Sequence, residues 1–349
     1  MIRVGIIGTG RVSRKHINGL LEVSDAKITA ICDVDEEKLA SVGDELAIPS
    51  SHRFTDYNEL LACADVDAVE ICTPNHLHVP IAIAAIKAGK AVEIEKPLST
   101  CYEHGVDDLL ALIEETGATN MMCFSYRFMP AVRYAKHLIE SGKLGKIVNV
   151  SVEYLQSGTF IPGRKLEWRF VKEYAGSGTL GDLGVHLIDM TRFLIGDFRS
   201  VYGMSRIVVK ERQKIGSDEI GLVNTDDLTG FMARLDGDVI ANFLVTKCAI
   251  GESNTIKYEV FGTDGVIKFN LNDPEKITIA YAKENKTDGE PVTYPVPEEY
   301  RLGQEECFIK AVNGEISEHY PCASEGAKCQ RIVDAILKSA EENVVVSLI

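Results

Sequence analysis

Near its start the chain reads Ile2-Arg3-Val4-Gly5-Ile6-Ile7-Gly8-Thr9-Gly10-Arg11-Val12-Ser13, and no other stretch constrains the fold as much. An apolar run over residues 2–8 reads as a buried strand, and an amphipathic stretch over residues 12–23 follows at once. To pass from strand to helix so abruptly the chain needs the tight turn that Gly8 permits. Gly10 lets a phosphate approach the backbone, and the position of Ser13 needs a small residue so that the helix can pack on the sheet. Ser13 stands where Gly or Ala is usual. The start of such a helix offers unpaired N–H groups and the positive end of its dipole to a phosphate. A purely structural turn would use the same glycines, so the surrounding pattern has to separate the two readings.

That pattern is an alternation. Strand-like runs at 27–33, 68–72, 91–95 and 119–124 are interleaved with helical stretches at 36–46, 79–88 and 101–116. Strands alternating with helices of this length imply βαβ units and a parallel, doubly wound sheet. Asp33 ends the second strand, where a carboxylate accepts hydrogen bonds from the ribose hydroxyls of a dinucleotide and repels a 2′-phosphate. The run Asp33-Val34-Asp35-Glu36-Glu37 holds no basic residue before Lys38, so NAD is favoured over NADP. Asp33 or Asp35 also suits a helix cap, and Asp35 is the better placed.

Beyond Phe124 the pattern changes. One more helix is expected at 130–141, and then alternating segments at 147–156, 201–209, 228–235, 239–248, 257–261, 266–270 and 277–282. Asp236-Gly237 between two of them is a strong hairpin signal. This half reads as an α/β domain with a large, mostly antiparallel open sheet and helices at 183–194 and 305–312. The expected domains are 1–122 for the dinucleotide and 123–349 for substrate and oligomerisation. An open sheet face is often covered by a second copy, so a homodimer or homotetramer through that sheet is expected.

Composition narrows the partners. With 52 acidic and 37 basic side chains among 349 residues, the net charge of −15 disfavours non-specific contact with nucleic acid or an anionic membrane. No apolar run reaches the roughly 18–20 residues of a membrane span. A strand beginning at the second residue leaves no room for a signal peptide. The nine cysteines include no C-x-x-C pair and sit mostly among apolar neighbours, which reads as reduced thiols in a cytoplasmic protein.

Two further strand ends carry distinctive loops, Cys72-Thr73-Pro74-Asn75-His76-Leu77-His78 and Glu95-Lys96-Pro97. Downstream come Tyr126-Arg127-Phe128, Trp168-Arg169, Gly181-Asp182-Leu183-Gly184-Val185-His186-Leu187-Ile188-Asp189, and a closing pattern from Cys307-Phe308 to Glu342. Together these resemble the Gfo/Idh/MocA family of sugar and inositol oxidoreductases over essentially the whole chain. The resemblance implies an N-terminal Rossmann domain, a C-terminal α/β domain, and a substrate held between them. It also implies that Gly8, Thr9, Gly10, Arg11, Val12, Asp33, Thr73, Asn75, His78, Glu95, Lys96, Trp168 and Arg169 serve the cofactor. The Lys96–Pro97 bond is often cis in relatives. Ser125 is a departure, since relatives commonly carry Asn there.

Hydride transfer belongs to a nicotinamide, and the protein must orient an alcohol carbon and manage its proton. His186 is the natural proton acceptor, since an imidazole titrates near neutrality. On a helix starting near Leu183, Asp182, His186 and Asp189 would share one face. Lys96, at the carboxyl end of a parallel strand, can donate to the same oxygen. The expected catalytic set is Lys96, His186 and Asp182, with Lys96, Tyr126, Arg127, Asp182 and His186 on the substrate. Each has a plainer reading: Asp182 as a helix cap, His186 as a core histidine, or Asp182, His186 and Asp189 as metal ligands. No metal is expected, because the family chemistry needs none. His16 and His52 read as surface or packing residues. The expected activity is NAD-dependent oxidation of a secondary hydroxyl of a sugar, cyclic polyol or sugar derivative. The alternatives are an NAD-using glycosidase and a catalytically silent NAD-binding regulator.

Overall fold

The computed structural model describes residues 1–283, 289–317 and 319–348. The chain forms two compact units, residues 1–124 with 302–328, and residues 125–301 with 329–349. The boundary expected near residue 122 differs from this division chiefly in the late segment 302–328, which groups with the first unit. Two hydrogen bonds hold the returning segment: Met122 N donates to Pro321 O at 2.7 Å, and Ala323 N donates to the Asn120 side-chain Oδ1 at 2.7 Å. Among the described residues no helix is long and apolar enough to cross a membrane.

The first unit runs β1 (Ile2–Ile7), α1 (Ser13–Glu22), β2 (Ala26–Cys32), α2 (Glu36–Glu45), β3 (Arg53–Phe54), α3 (Tyr57–Ala62), β4 (Ala68–Ile71), α4 (His78–Lys87), β5 (Ala91–Ile94), α5 (Val106–Thr116) and β6 (Asn120–Met122). Its six strands lie in the order β3-β2-β1-β4-β5-β6, and every pair is parallel. Helices cover such a sheet on both faces, so its central strands read as apolar runs rather than alternations. Val4, Ile6, Ala30, Ile31, Val69, Val92 and Ile94 are all fully buried. The exceptions are Glu70 and Glu93, which sit in β4 and β5 with no exposure at all. Asp35 caps α2 through Lys38 N, as expected. The helix expected from residue 101 begins only at Val106, because Gly105 at φ +79° turns the chain first.

The second unit holds α6 (Pro130–Glu140), β7 (Ile147–Leu155), α7 (Lys172–Ala175), α8 (Val185–Leu194), β8 (Phe198–Arg206), β9 (Glu211–Gln213), β10 (Ile220–Leu222), β11 (Leu228–Leu235), β12 (Ile240–Thr246), β13 (Thr255–Gly262), β14 (Gly265–Asn270), β15 (Lys276–Tyr281) and β16 (Val292–Pro295). The chain then supplies α9 (Gln304–Val312) to the first unit, passes through α10 (Ala323–Glu342), and ends with β17 (Val346–Ser347). The main sheet has nine strands in the order β16-β15-β14-β13-β7-β12-β11-β8-β17, antiparallel except where β12 meets β7. Between β11 and β12 the Asp236-Gly237 turn puts Gly237 and Asp238 at φ +67° and +65°. One sheet face is apolar and buried, with Val152, Phe231, Phe243, Val245 and Tyr258, and α8 is buried along its whole length. The other face leaves Met204, Met232 and Leu244 exposed.

Candidate functional site

The glycine turn is built as its sequence requires. Gly8 sits at φ +94°, and a Cβ there would stand 2.7 Å from the Cys72 carbonyl oxygen. Around Gly10 nothing lies within 4 Å of the position a Cβ would take, which leaves the open approach a phosphate needs. Ser13 is fully buried and donates its Oγ hydrogen to Gly10 O at 2.7 Å, so it fills the small-residue position and also ties the turn to the helix. No side chain caps the start of α1; Lys15 N already donates to Val12 O at 3.1 Å, so the positive end of the helix is offered to an anion chiefly by the N–H groups ahead of it. Arg11 is exposed on this turn and Val12 is half-buried.

Asp33 lies beside it. Its Oδ2 accepts hydrogen bonds from Thr9 N at 2.7 Å and Thr9 Oγ1 at 2.9 Å, and its Oδ1 accepts from Asp35 N at 2.9 Å. The nearest basic residue in the run, Lys38, pairs with Asp35 at 2.6 Å. A carboxylate at the ribose position and a compensated lysine suit the 2′-hydroxyl of NAD better than a 2′-phosphate. The open Gly10, the uncapped helix and Asp33 therefore fit a dinucleotide.

The two strand-end loops are strapped together by His78. It is buried, with Nδ1 2.7 Å from Pro97 O and Nε2 2.9 Å from Thr73 O. Burial pushes its pKa down, against the two carbonyls, and in the neutral ring only one nitrogen carries a hydrogen to donate. Expected to lie along the cofactor, His78 instead has each nitrogen facing a backbone carbonyl of the loops that would do so, and donates to one of them. Thr73 keeps a buried Oγ1 that makes no hydrogen bond, and Asn75 is buried beside it in sequence. The Lys96–Pro97 peptide is cis. Glu95 Oε2 accepts the Lys96 backbone N–H at 3.0 Å, and its Oε1 lies 3.1 Å from His16 Nε2. Burial raises the Glu95 pKa, but the His16 hydrogen bond and the Lys96 charge outweigh it and hold the carboxyl at about 2.

In the second unit Asp182 sits on a five-residue π turn, Leu180–Gly184, that runs directly into α8. Asp226 anchors the turn by accepting from Gly178 N at 2.7 Å and Leu180 N at 2.9 Å. Single π turns are frequent at functional sites, because the extra residue re-aims a side chain. Asp182 Oδ2 accepts from Lys247 Nζ at 2.6 Å. His186 is 7% exposed, with the Tyr126 ring edge-on at 4.6 Å between centroids. The Tyr126 and Tyr154 hydroxyls are 2.7 Å apart, and Tyr154 donates to Asn254 Oδ1 at 2.9 Å. Burial, then Tyr126, raises the pKa of the Tyr154 hydroxyl, so it stays protonated. The sequence reading missed Lys247, Asp226 and Asn254, which lie at strand ends and loops without a motif of their own.

Asp189, expected to share a helix face with Asp182 and His186, is half of a buried ion pair. It is 1% exposed and takes the Arg127 guanidinium in a two-pronged grip, with Nε at 2.8 and 3.0 Å and Nη2 at 2.5 Å. Arg127, expected on the substrate, is itself 5% exposed and spends these donors on Asp189. Trp168 and Arg169 form a stacked pair, with the guanidinium carbon 4.2 Å from the ring centroid.

His16, expected at the surface or in packing, is 2% exposed and stands among charged groups of its own unit: Glu70, Glu95 and Glu305, with Cys72 and Cys123 close by. Desolvation opposes its protonation, yet these neighbours raise its pKa well above the ordinary value. Burial likewise drives Glu93 far up and Glu305 to about 7. The signal in the sequence was a glutamate in the middle of each of two apolar strands.

The sequence matches two family models: residues 2–124 the oxidoreductase family with an NAD-binding Rossmann fold, and residues 132–268 the GFO/IDH/MocA C-terminal domain. A levoglucosan dehydrogenase of Pseudarthrobacter phenanthrenivorans is 31% identical, across 97% of this chain and 96% of the relative. A myo-inositol 2-dehydrogenase of Thermotoga maritima is 28% identical across 89% of this chain and 88% of its own. Among solved structures, levoglucosan dehydrogenase in complex with NADH and L-sorbose superposes with a TM-score of 0.89 at 29% identity, covering 100% of this chain and 99% of that one.

Proposed function

The chain belongs to the Gfo/Idh/MocA family of NAD-binding oxidoreductases, and from that membership we propose that it oxidises a secondary hydroxyl of an uncharged sugar or cyclic polyol, or runs the reverse reduction. Bound NAD supplies the hydride acceptor. The chain's own part is to hold the substrate hydroxyl and move its proton. We assign His186 as proton acceptor, Asp182 as the carboxylate that orients substrate or imidazole, and Lys96 as the donor that steadies charge on the reacting oxygen. Thr73, Asn75, Glu95, Trp168 and Arg169 are assigned to the cofactor with the glycine turn and Asp33.

The observation that carries this reading is the make-up of the surroundings of His186. Tyr126, Tyr154 and Asn254 offer hydroxyls and an amide, and the cation Lys247 is compensated by Asp182. Arg127 is likewise committed to Asp189. Such a surface recognises hydroxyls rather than a phosphate, which calls for a guanidinium or ammonium of its own. Two relatives are named for uncharged substrates, levoglucosan and myo-inositol, and another for glucose 6-phosphate, so the preference for an uncharged substrate rests on the surroundings of His186.

The test is a screen of purified protein with NAD against anhydrosugars, inositols, free sugars and sugar phosphates, following NADH absorbance. Reduction of NAD by an uncharged member supports the proposal. Cleavage of a glycoside without net NADH points to the glycosidase instead, and NAD binding without turnover across the panel to a regulator. Lys96→Ala and His186→Ala should each lower kcat by about 10²–10⁴-fold while NAD still binds. Unchanged turnover in both variants would overturn the assigned roles. We also infer that the open face of the nine-stranded sheet pairs with a second copy, since its neighbouring strands expose Met204, Met232 and Leu244 together.

A further inference from the structure

Strands β4 and β5 carry the same four residues, Ala-Val-Glu-Ile, and pair in register so that Glu70 stands beside Glu93. Both side chains are wholly buried. Like charges side by side in a sheet repel, and a buried carboxylate needs a counter-charge or hydrogen bonds. Glu93 receives one from Gln304 Nε2 at 2.9 Å, but neither oxygen of Glu70 makes a hydrogen bond. His16 Nδ1 makes none either, although it lies 3.1 Å from Glu70 Oε2 and 3.7 Å from Glu305 Oε1. His16 Nδ1 and the two Glu70 oxygens are therefore buried potential ligand atoms, close together, that make no hydrogen bond. An imidazole nitrogen, a Glu70 oxygen and Cys72 Sγ all lie within 4.8 Å of each other. Glu305 comes in over Gly19, where a Cβ would collide with its carboxylate.

The far side of the ring fits the same pattern. His16 Nε2 faces Glu95 Oε1 at 3.1 Å. A neutral imidazole that donates from one nitrogen to a carboxylate has a lone pair on the other, which is how proteins commonly orient a metal-bound histidine, and an ion at Nδ1 would displace the proton that the surrounding carboxylates otherwise favour there. We propose that His16 Nδ1, Glu70 and Cys72, with Glu305 as fourth donor, form a buried structural site for a divalent transition-metal ion, zinc by its donor set. Mixed nitrogen, sulfur and oxygen donors suit zinc, whereas a thiolate is a poor ligand for magnesium or calcium. Tetrahedral zinc bonds of about 2.0–2.3 Å put neighbouring ligand atoms about 3.3–3.5 Å apart, close to the separations around Nδ1. The ion would take the Cys72 thiolate, release its proton to solvent, and join α1, β4 and α9. It lies outside the proposed reaction and does not depend on that assignment.

The experiment uses the full-length protein. After exposure to zinc and exhaustive dialysis, elemental analysis should find about one zinc per chain, and a strong chelator should lower the thermal midpoint. Cobalt replacing zinc should give a thiolate-to-cobalt charge-transfer band, lost in Cys72→Ser and retained in Cys63→Ser. The second variant matters because His52, Cys63 and Asp65 form a more exposed group that could also bind a metal. Glu70→Gln should weaken zinc binding at least tenfold. If Cys72→Ser does not fold, the wild-type band together with the Cys63→Ser and Cys123→Ser controls decides the matter. No bound zinc and no cobalt band in the wild-type protein overturns the proposal, leaving a protonated carboxylate network solvated by water. A band that disappears in Cys63→Ser or Cys123→Ser overturns the assignment to Cys72.

Discussion

Gly8 and Gly10 do different work although they stand two residues apart. The first has a positive φ and the Cys72 carbonyl against it, whereas the second faces open space. Gly8→Ala should therefore destabilise the fold by about 1–3 kcal/mol, read as a lower midpoint in chemical unfolding. Gly10→Ala should leave that midpoint nearly unchanged and weaken NAD binding by tenfold or more in a fluorescence titration. Equal effects of the two on stability would contradict the division of roles. The turn was legible because its glycines answer to backbone geometry, and so was Ser13, whose hydroxyl found a local carbonyl. His16 was not legible. Its partners Glu70, Cys72, Glu95 and Glu305 come from three distant segments, and only the register of β4 on β5 sets Glu70 beside the second buried glutamate, Glu93.

Among the elements, the parallel strands of the first unit were readable as apolar runs between helical stretches, and the long antiparallel strands of the second from their alternation. The two-residue β3 carries too few residues to show a period. Helix α10 escaped because Gly326 interrupts its opening turns, and the structure explains that glycine: a Cβ there would stand 2.8 Å from the Met122 sulfur. Near the proposed catalytic residues the expectation of a plain helix from Leu183 missed the π turn, which no residue spacing announces and which Asp226 holds from 44 positions away from Asp182 in sequence. The buried pair of Arg127 and Asp189 ties the turn after β6 to α8. Asp189→Asn should cost about 3–5 kcal/mol in unfolding free energy, since it strands a desolvated guanidinium. A loss below 1 kcal/mol would show that the pair is dispensable to α8.

For the molecule as a whole, the open sheet face sets the expected assembly. Met204 and Leu244 flank Gly230 in one cross-strand row, and Met232 lies in the next. Met232→Glu should move the protein to a lower sedimentation coefficient at a given concentration without changing its far-UV circular dichroism. A wild-type monomer at high micromolar concentration would remove that inference. One feature of the chain path also governs how the protein can be made. The first unit takes α9 and the first residues of α10 from late in the sequence, so that unit is not complete until residue 328 has been synthesised. During translation the nascent sheet must wait, with the Asn120 amide and the Gly326 niche of Met122 unfilled, while the second unit is still emerging from the ribosome. A gene fragment ending at residue 124 should for the same reason yield an aggregating product rather than a portable nucleotide-binding module.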